Sequence, residues 1–402
     1  MLFRAVNILL ATFLATTSLA EYNRKPGGDV LGACATFAAD GSSAAVTFDA
    51  TNISLDITDS SAKNSHLTLP LRYNTGFAYP SPLPEFRTSC DAYFDRAADL
   101  IAIGVGRQVG VADVKTMKWV GDWDILELMP ESHRSSLAGF LEGTTSLVVV
   151  GEPLAEGGKG THWGLLAVAL FDPSGKQLMP LRIQRYAPDE QQFHRFADAS
   201  HNRLWVFRCE PVDRPMSRQP LCPVAATSIT ENQPWSPEFV PSMQEWKRTD
   251  LWFYPSAFAT SDPNMIVFGE GTTIWAVNTQ SQTIHRFVLP MRPHSPGFGQ
   301  IDRRVALSPD GQVLAVQVDR SRLAFPFLVD NYVFQGSDIA VIQINPFRLL
   351  GVLRYGNTAY APGFAIDHRQ GRVTALVYRH GRWERDEVSG APQRQGRGRP
   401  TS

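Results

Sequence analysis

A two-strand unit recurs along the chain. An alternating run with a small-residue stretch turns over a few polar residues into a second run: Gln108–Val114, Lys115-Thr116-Met117, then Lys118–Trp123. The same unit returns as Gly164–Asp172, Pro173-Ser174-Gly175 and Lys176–Ile183, and as Thr273–Asn278, Thr279–Gln282 and Thr283–Pro290. It occurs again as Ser337–Asn345, Pro346 and Phe347–Tyr355. Period-two alternation broken by short turns predicts antiparallel hairpins. Recurrence at a spacing of roughly 50 residues predicts a radial or stacked array of them. Such an array constrains architecture strongly and chemistry hardly at all.

Seven units can be delimited, opening near Cys34, Cys90, Ala138, Phe193, Ser256, Arg304 and Gly363. No linker, charge run or low-complexity tract divides residues 25–388, so the units read as one all-β domain rather than the two or three domains that length alone suggests. The expected architecture is a seven-bladed β-propeller, with six or eight blades as alternatives because the fourth unit is irregular. The seventh unit is one strand short, and Asp29–Ala33 is placed to supply the missing strand and close the ring, removing exposed sheet edges.

One hairpin carries a family resemblance. Leu307-Ser308-Pro309-Asp310-Gly311-Gln312-Val313-Leu314-Ala315-Val316 resembles the first hairpin of a blade in YVTN-type and WD-repeat-like propellers, and Ala38-Ala39-Asp40-Gly41 and Ser261-Asp262-Pro263-Asn264 look like degraded copies. Proline early in the turn, an aspartate that bonds local backbone and a closing glycine suit a tight turn. The Gly-His signature of the strict WD repeat is missing from the chain.

Residues 1–20 read as a secretory signal peptide. Arg4 is the sole charge, Ala5–Thr16 is apolar, and Ser18-Leu19-Ala20 places small residues where a signal peptidase cuts. The apolar part falls short of the ~20 residues of a membrane span, and no later stretch is apolar enough for one, so the mature chain is expected to be soluble and secreted or periplasmic. The four cysteines then read as disulfides, Cys209–Cys222 as the close pair and Cys34–Cys90 by remainder. They are not spaced as metal ligands. With 38 Lys+Arg against 39 Asp+Glu, no basic excess points to nucleic acid. Residues 389–402, carrying Arg394, Arg397 and Arg399, read as a disordered tail.

In a ring of meandering blades, connections after even strands share one face and those after odd strands the other. The minimal turns fall on the odd side; the long segments Tyr73–Arg87, Glu152–His162, Glu210–Leu221, Glu231–Pro255, Pro290–Asp302 and Asp319–Gly336 fall on the even side. That side is the expected working face. Glu231–Pro255 carries Trp235, Trp246 and Trp252, readable as a plug over the ring end or as a partner surface. Asp319–Gly336 carries Arg320 and Tyr332, and Glu210–Leu221 carries Arg214 and Arg218 inside the expected disulfide loop.

Catalytic patterns are sparse. Nine histidines are scattered, and His162, His194 and His294 lie in or beside long segments. Residues 156–161 lack the first glycine of a phosphate loop, and neither a dinucleotide fingerprint nor a nucleophile elbow occurs. Asn52-Ile53-Ser54 is a glycosylation sequon. No metal or other cofactor is expected. The leading expectation is a secreted scaffold that binds an extracellular or periplasmic protein or a small ligand and performs no chemistry. The alternative is a hydrolase of the lactonase-like type that such propellers include, with His194, Glu190 or Asp189, and Asp302 beside Arg303, at the channel mouth.

Overall fold

The structure is a computed structural model. It describes residues 30–72, 90–129, 132–153, 165–185, 193–208, 224–231, 236–239, 256–260, 262–270, 273–288, 300–323, 332–354, 363–379 and 381–388. These residues form seven antiparallel sheets in sequence order. Blade one contains β1 (Gly32–Phe37), β2 (Ser43–Phe48), β3 (Asn52–Thr58) and β4 (Asn64–Pro70). Blade two contains β5 (Cys90–Phe94), β6 (Leu100–Val105), β7 (Gln108–Asp113) and β8 (Lys118–Asp124), followed by the short helix α1 (Ile125–Leu128). Blade three contains β9 (Ser132–Phe140), β10 (Leu147–Pro153), β11 (Leu165–Phe171) and β12 (Gln177–Arg185). Blade four contains β13 (Phe193–Asp198), β14 (Arg203–Arg208), β15 (Val224–Ser228) and β16 (Ser236–Phe239). Blade five contains β17 (Ser256–Ala259), β18 (Met265–Glu270), β19 (Thr273–Asn278) and β20 (Thr283–Val288). Blade six contains β21 (Gln300–Leu307), β22 (Val313–Leu323), β23 (Tyr332–Gln343) and β24 (Arg348–Arg354), and blade seven β25 (Phe364–Arg369), β26 (Arg372–Arg379) and β27 (Arg382–Val388). The molecule is a seven-bladed β-propeller.

Packing between blades explains the sequence pattern. The outermost strand β4 alternates exposed and covered residues, whereas β2 and β7 are buried on both faces and read as continuous runs of small and branched residues. Val46, Leu55 and Ile57 of blade one pack against Ile101, Ile103 and Val105 of blade two. Comparable cores fill the next seams, with Val109 and Val111 against Val149 and Phe171, then Val148 and Val168 against Leu204. Blade six meets blade five through Leu314 and Val316 and blade seven through Val313 and Val341. Each seam therefore buries apolar area from two blades at once, the main favourable contribution to the fold.

The ring does not close by the expected borrowed strand. Gly32 and Ala33 pair with Phe48 and Thr47 inside blade one, and blade seven has three strands among the described residues. The reason is local. Leu31 N donates to Phe48 O at 2.8 Å, and the Phe48 ring occupies the place a Cβ on Gly32 would need. This segment is thus committed to β2. Closure is instead by packing of Phe37 and Ala45 on Ala365 and Leu376, reinforced by Arg385 Nη2 donating to Ser43 Oγ at 2.8 Å. The expected pair Cys34–Cys90 is a disulfide that joins inner strands β1 and β5 of neighbouring blades.

The connections sort by face as expected. After odd strands they are short turns, the longest being 229–235; after even strands they reach 71–89, 209–223 and 240–255. Two boundaries differ from the sequence reading. Strands β22 and β23 run on through Arg320↔Gly336 to Leu323↔Tyr332, so Arg320 and Tyr332 belong to an extended hairpin rather than a loop. Strand β16 divides the aromatic segment, so Trp235 precedes it while Trp246 and Trp252 follow on the connection to blade five.

Candidate functional site

Beside the ring closure, three odd-side turns meet: 38–42 of blade one, 308–312 of blade six and Gln370-Gly371 of blade seven. A cavity of about 400 Å³ opens between them, lined by Ala39, Pro309, Asp310, Asp367, His368, Arg369 and Gln370. The Ser-Pro-Asp-Gly turn builds one wall. Gly311 adopts φ 64°, which the turn requires and glycine tolerates. Asp310 Oδ1 accepts from Ser308 Oγ and from Gln312 N at 3.1 Å, fixing the carboxylate locally. Its Oδ2 lies 3.0 Å from His368 Nδ1 on the neighbouring blade.

An ionised carboxylate only accepts, so His368 Nδ1 is the donor in this contact. The His368 side chain is 23% exposed. Asp367, 13% exposed, accepts from Arg369 Nε at 2.9 Å. Burial pushes the Asp367 carboxyl up, Arg369 opposes this, and Asp310 adds to it. Arg369 Nη2 donates to Ala38 O at 2.9 Å and Ala39 O at 2.7 Å, so its donors serve the seam. Asp367 is thus paired with Arg369, and Asp310 with His368.

A second group sits on inner strand β5. Asp91, on inner strand β5, is half-buried, and burial pushes its carboxyl up from 3.8 to about 6. Tyr93, two residues on, is pushed up by burial and then by Asp91. An aspartate whose folded pKa is raised favours the folded state when protonated, so this contribution is present at low pH and is lost as pH rises from about 4 to about 6. Asp91→Asn is therefore expected to raise the unfolding midpoint at pH 7.5 and leave it unchanged at pH 4, with an upper bound of about 3 kcal/mol at pH 7.5. Parallel thermal melts at the two pH values check this; equal shifts at both would show that the carboxyl is not held in its neutral form.

His194 lies near the start of β13, with its backbone opposite Phe207, and Asp302 and Arg303 lie in β21. All three are on inner strands, at the ends nearest the long connections. Asp91 and His194 hold the same position in their blades, each four residues before the aspartate, Asp95 or Asp198, that ends the inner strand or opens its turn. They are two blades apart. Asp189, Glu190, His162, His294, Arg214, Arg218, Trp235, Trp246, Trp252, Cys209 and Cys222 lie outside the described residues, as do the leader 1–20 and the tail 389–402. Among the described residues, no group of three or more His, Cys, Asp and Glu could hold a metal, and no helix is long and apolar enough to cross a membrane.

The strand order is that of a seven-bladed β-propeller. No family model and no curated protein matches the chain. Solved structures similar to it include one described as the crystal structure of the mitotic checkpoint complex, at 12% identity over 91% of this chain and 94% of that one, with TM-score 0.48. Another is Kluyveromyces lactis Hsv2, at 8% identity over 89% of this chain and 97% of that one, with TM-score 0.42.

Proposed function

We propose that the chain is an exported binding scaffold, a rigid ring that holds long connections against an extracellular or periplasmic protein. The observation that carries this reading is the asymmetry of the two faces: every connection beyond a short turn leaves an even strand. Loops on one side of a rigid framework are where binding residues concentrate. The connection 240–255 brings Trp246 and Trp252, side chains that dominate protein interfaces when packed into a partner. Export rests on the character of residues 1–20 and is compatible with the Cys34–Cys90 disulfide.

Two measurements test it. Expression in a secreting host should yield a chain beginning at Glu21, read by intact mass; a retained leader would remove the export half. Immobilised residues 21–402 should then retain a partner from the matching extracellular fraction. A variant with 240–255 replaced by a short Gly-Asn turn should lose about tenfold or more in affinity, at an unchanged melting midpoint. Equal retention by both would exclude this connection as the interface.

The raised carboxyl of Asp91, at the strand position that His194 holds two blades away, favours a second reading as a channel-mouth hydrolase. Turnover of simple lactones or esters that Asp91→Asn and His194→Gln each reduce by about 100-fold would support it. Turnover unaffected by both would exclude these groups.

A further inference from the structure

We propose that Asn52 is an N-glycosylation acceptor, carrying one oligosaccharide on the face of the long connections. The proposal rests on the export half of the reading above, since the modification belongs to the secretory route. Asn52-Ile53-Ser54 is the sole Asn-x-Ser/Thr triplet in the sequence, so a single site is available. The fold leaves that site free to carry a glycan. Asn52 opens β3 after the turn 49–51, which leaves the even strand β2. Its backbone is satisfied by that turn: Asn52 N donates to Asp49 Oδ1 at 2.8 Å, and Asp49 N donates to Asn52 O at 3.0 Å. Strand β3 buries Ile53, Leu55 and Ile57 and turns Asn52, Ser54 and Asp56 to its less covered face. The Asn52 carboxamide holds nothing distant, because Nδ2 donates to Oγ1 of its exposed neighbour Thr51 at 2.8 Å. Asn202 shows the contrasting, structural use of this side chain. It donates to Thr230 Oγ1 at 2.8 Å and accepts from Thr230 N at 3.1 Å, tying the turn after β13 to the segment after β15. In the transfer, Asn52 Nδ2 bonds to the anomeric carbon of an oligosaccharide carried on a lipid diphosphate. The bond from that carbon to the diphosphate oxygen breaks, Nδ2 gives up one proton, and the lipid diphosphate leaves with the electron pair. The second Nδ2 proton stays, so the Thr51 contact can persist in the product. Leu71 N donates to Thr51 O at 2.7 Å, which puts the glycan beside the start of the long connection 71–89.

The experiment expresses the full chain in a eukaryotic secreting host, once with its own leader and once with a host leader ahead of Glu21. Intact mass is read on protein from the medium and from the cells. The expected result is a secreted chain heavier than its polypeptide by one glycan. Peptide N-glycosidase should remove the increment and leave aspartate in place of Asn52 in the peptide map. Asn52→Gln and Ser54→Ala should each abolish the whole increment, and Ser54→Thr should retain it. Circular dichroism confirms that each variant is folded. The two leaders separate the failures. Glycosylation behind the host leader alone upholds the acceptor site and overturns export by residues 1–20. A chain secreted behind its own leader at bare polypeptide mass overturns the site and leaves export standing. An increment that resists the glycosidase, or that persists in folded Asn52→Gln or Ser54→Ala, also overturns the proposal.

Discussion

Removing the Cys34–Cys90 disulfide is expected to lower the stability of the folded ring by roughly 4 kcal/mol. The bridge spans 56 residues, and constraining a loop of that length in the unfolded chain accounts for most of this figure in the chain-entropy account. Its position adds to the effect. It joins the inner strands of two adjacent blades, β1 and β5, which belong to separate sheets. Cys34 also sits in the core of that seam with Val46 and Ile103. Cys34→Ala/Cys90→Ala is the variant of choice, because alanine avoids burying a new hydroxyl. Urea unfolding should show a lower midpoint, and thermal unfolding a fall on the order of 5–10 °C. Wild-type protein in reductant should move toward the variant, while the variant should ignore reductant. A wild-type midpoint that reductant leaves in place would show that the bridge adds nothing to the seam.

The ring was legible because its seams impose two different patterns on neighbouring strands. Outer strands such as Asn64–Pro70 alternate, and inner ones such as Ser43–Phe48 become runs of small apolar residues pressed between blades. Both are local signals. Closure was not legible in the same way. Whether Gly32-Ala33 completes blade seven or pairs within blade one depends on register, which is set here by the Leu31 to Phe48 hydrogen bond and by the Phe48 ring over Gly32. The extended hairpin of blade six was hidden for a related reason. Arg320-Ser321-Arg322 has no apolar face to reveal a strand, yet its backbone pairs with 333–336. The cavity left even less trace. Asp310 meets His368 across 58 residues, and Arg369 reaches Ala38 across 331, so no motif of short spacing could join them. The turn Pro309-Asp310-Gly311 was recognised as geometry, and its aspartate's second oxygen turns out to face a neighbouring blade.

Gly363→Ala is expected to be the most damaging single methyl addition at the closure. A Cβ at this position would lie 2.4 Å from Ala33 O, 2.6 Å from Ala33 C and 2.8 Å from Cys34 Cα, all backbone atoms of blade one. Gly363 cannot easily retreat, since its carbonyl accepts from Tyr378 N at 3.1 Å. Nor can blade one, because Cys34 is tied to Cys90. Overpacking of this kind costs about 1–3 kcal/mol, and rigid obstacles on both sides place the expected loss near about 3 kcal/mol. Gly371→Ala is the control. Nothing lies within 4 Å of its Cβ, and its φ of +74° confines the cost to the left-handed backbone, about 1 kcal/mol. Urea midpoints should therefore rank wild type above Gly371→Ala, and Gly371→Ala above Gly363→Ala. Because the strain at Gly363 is held by the disulfide, adding Cys34→Ala/Cys90→Ala should let β1 yield, and the combined loss should fall short of the sum of the parts by about 1 kcal/mol. Strict additivity would place the relaxation elsewhere in the ring, and a neutral Gly363→Ala would overturn the close approach of blades one and seven itself.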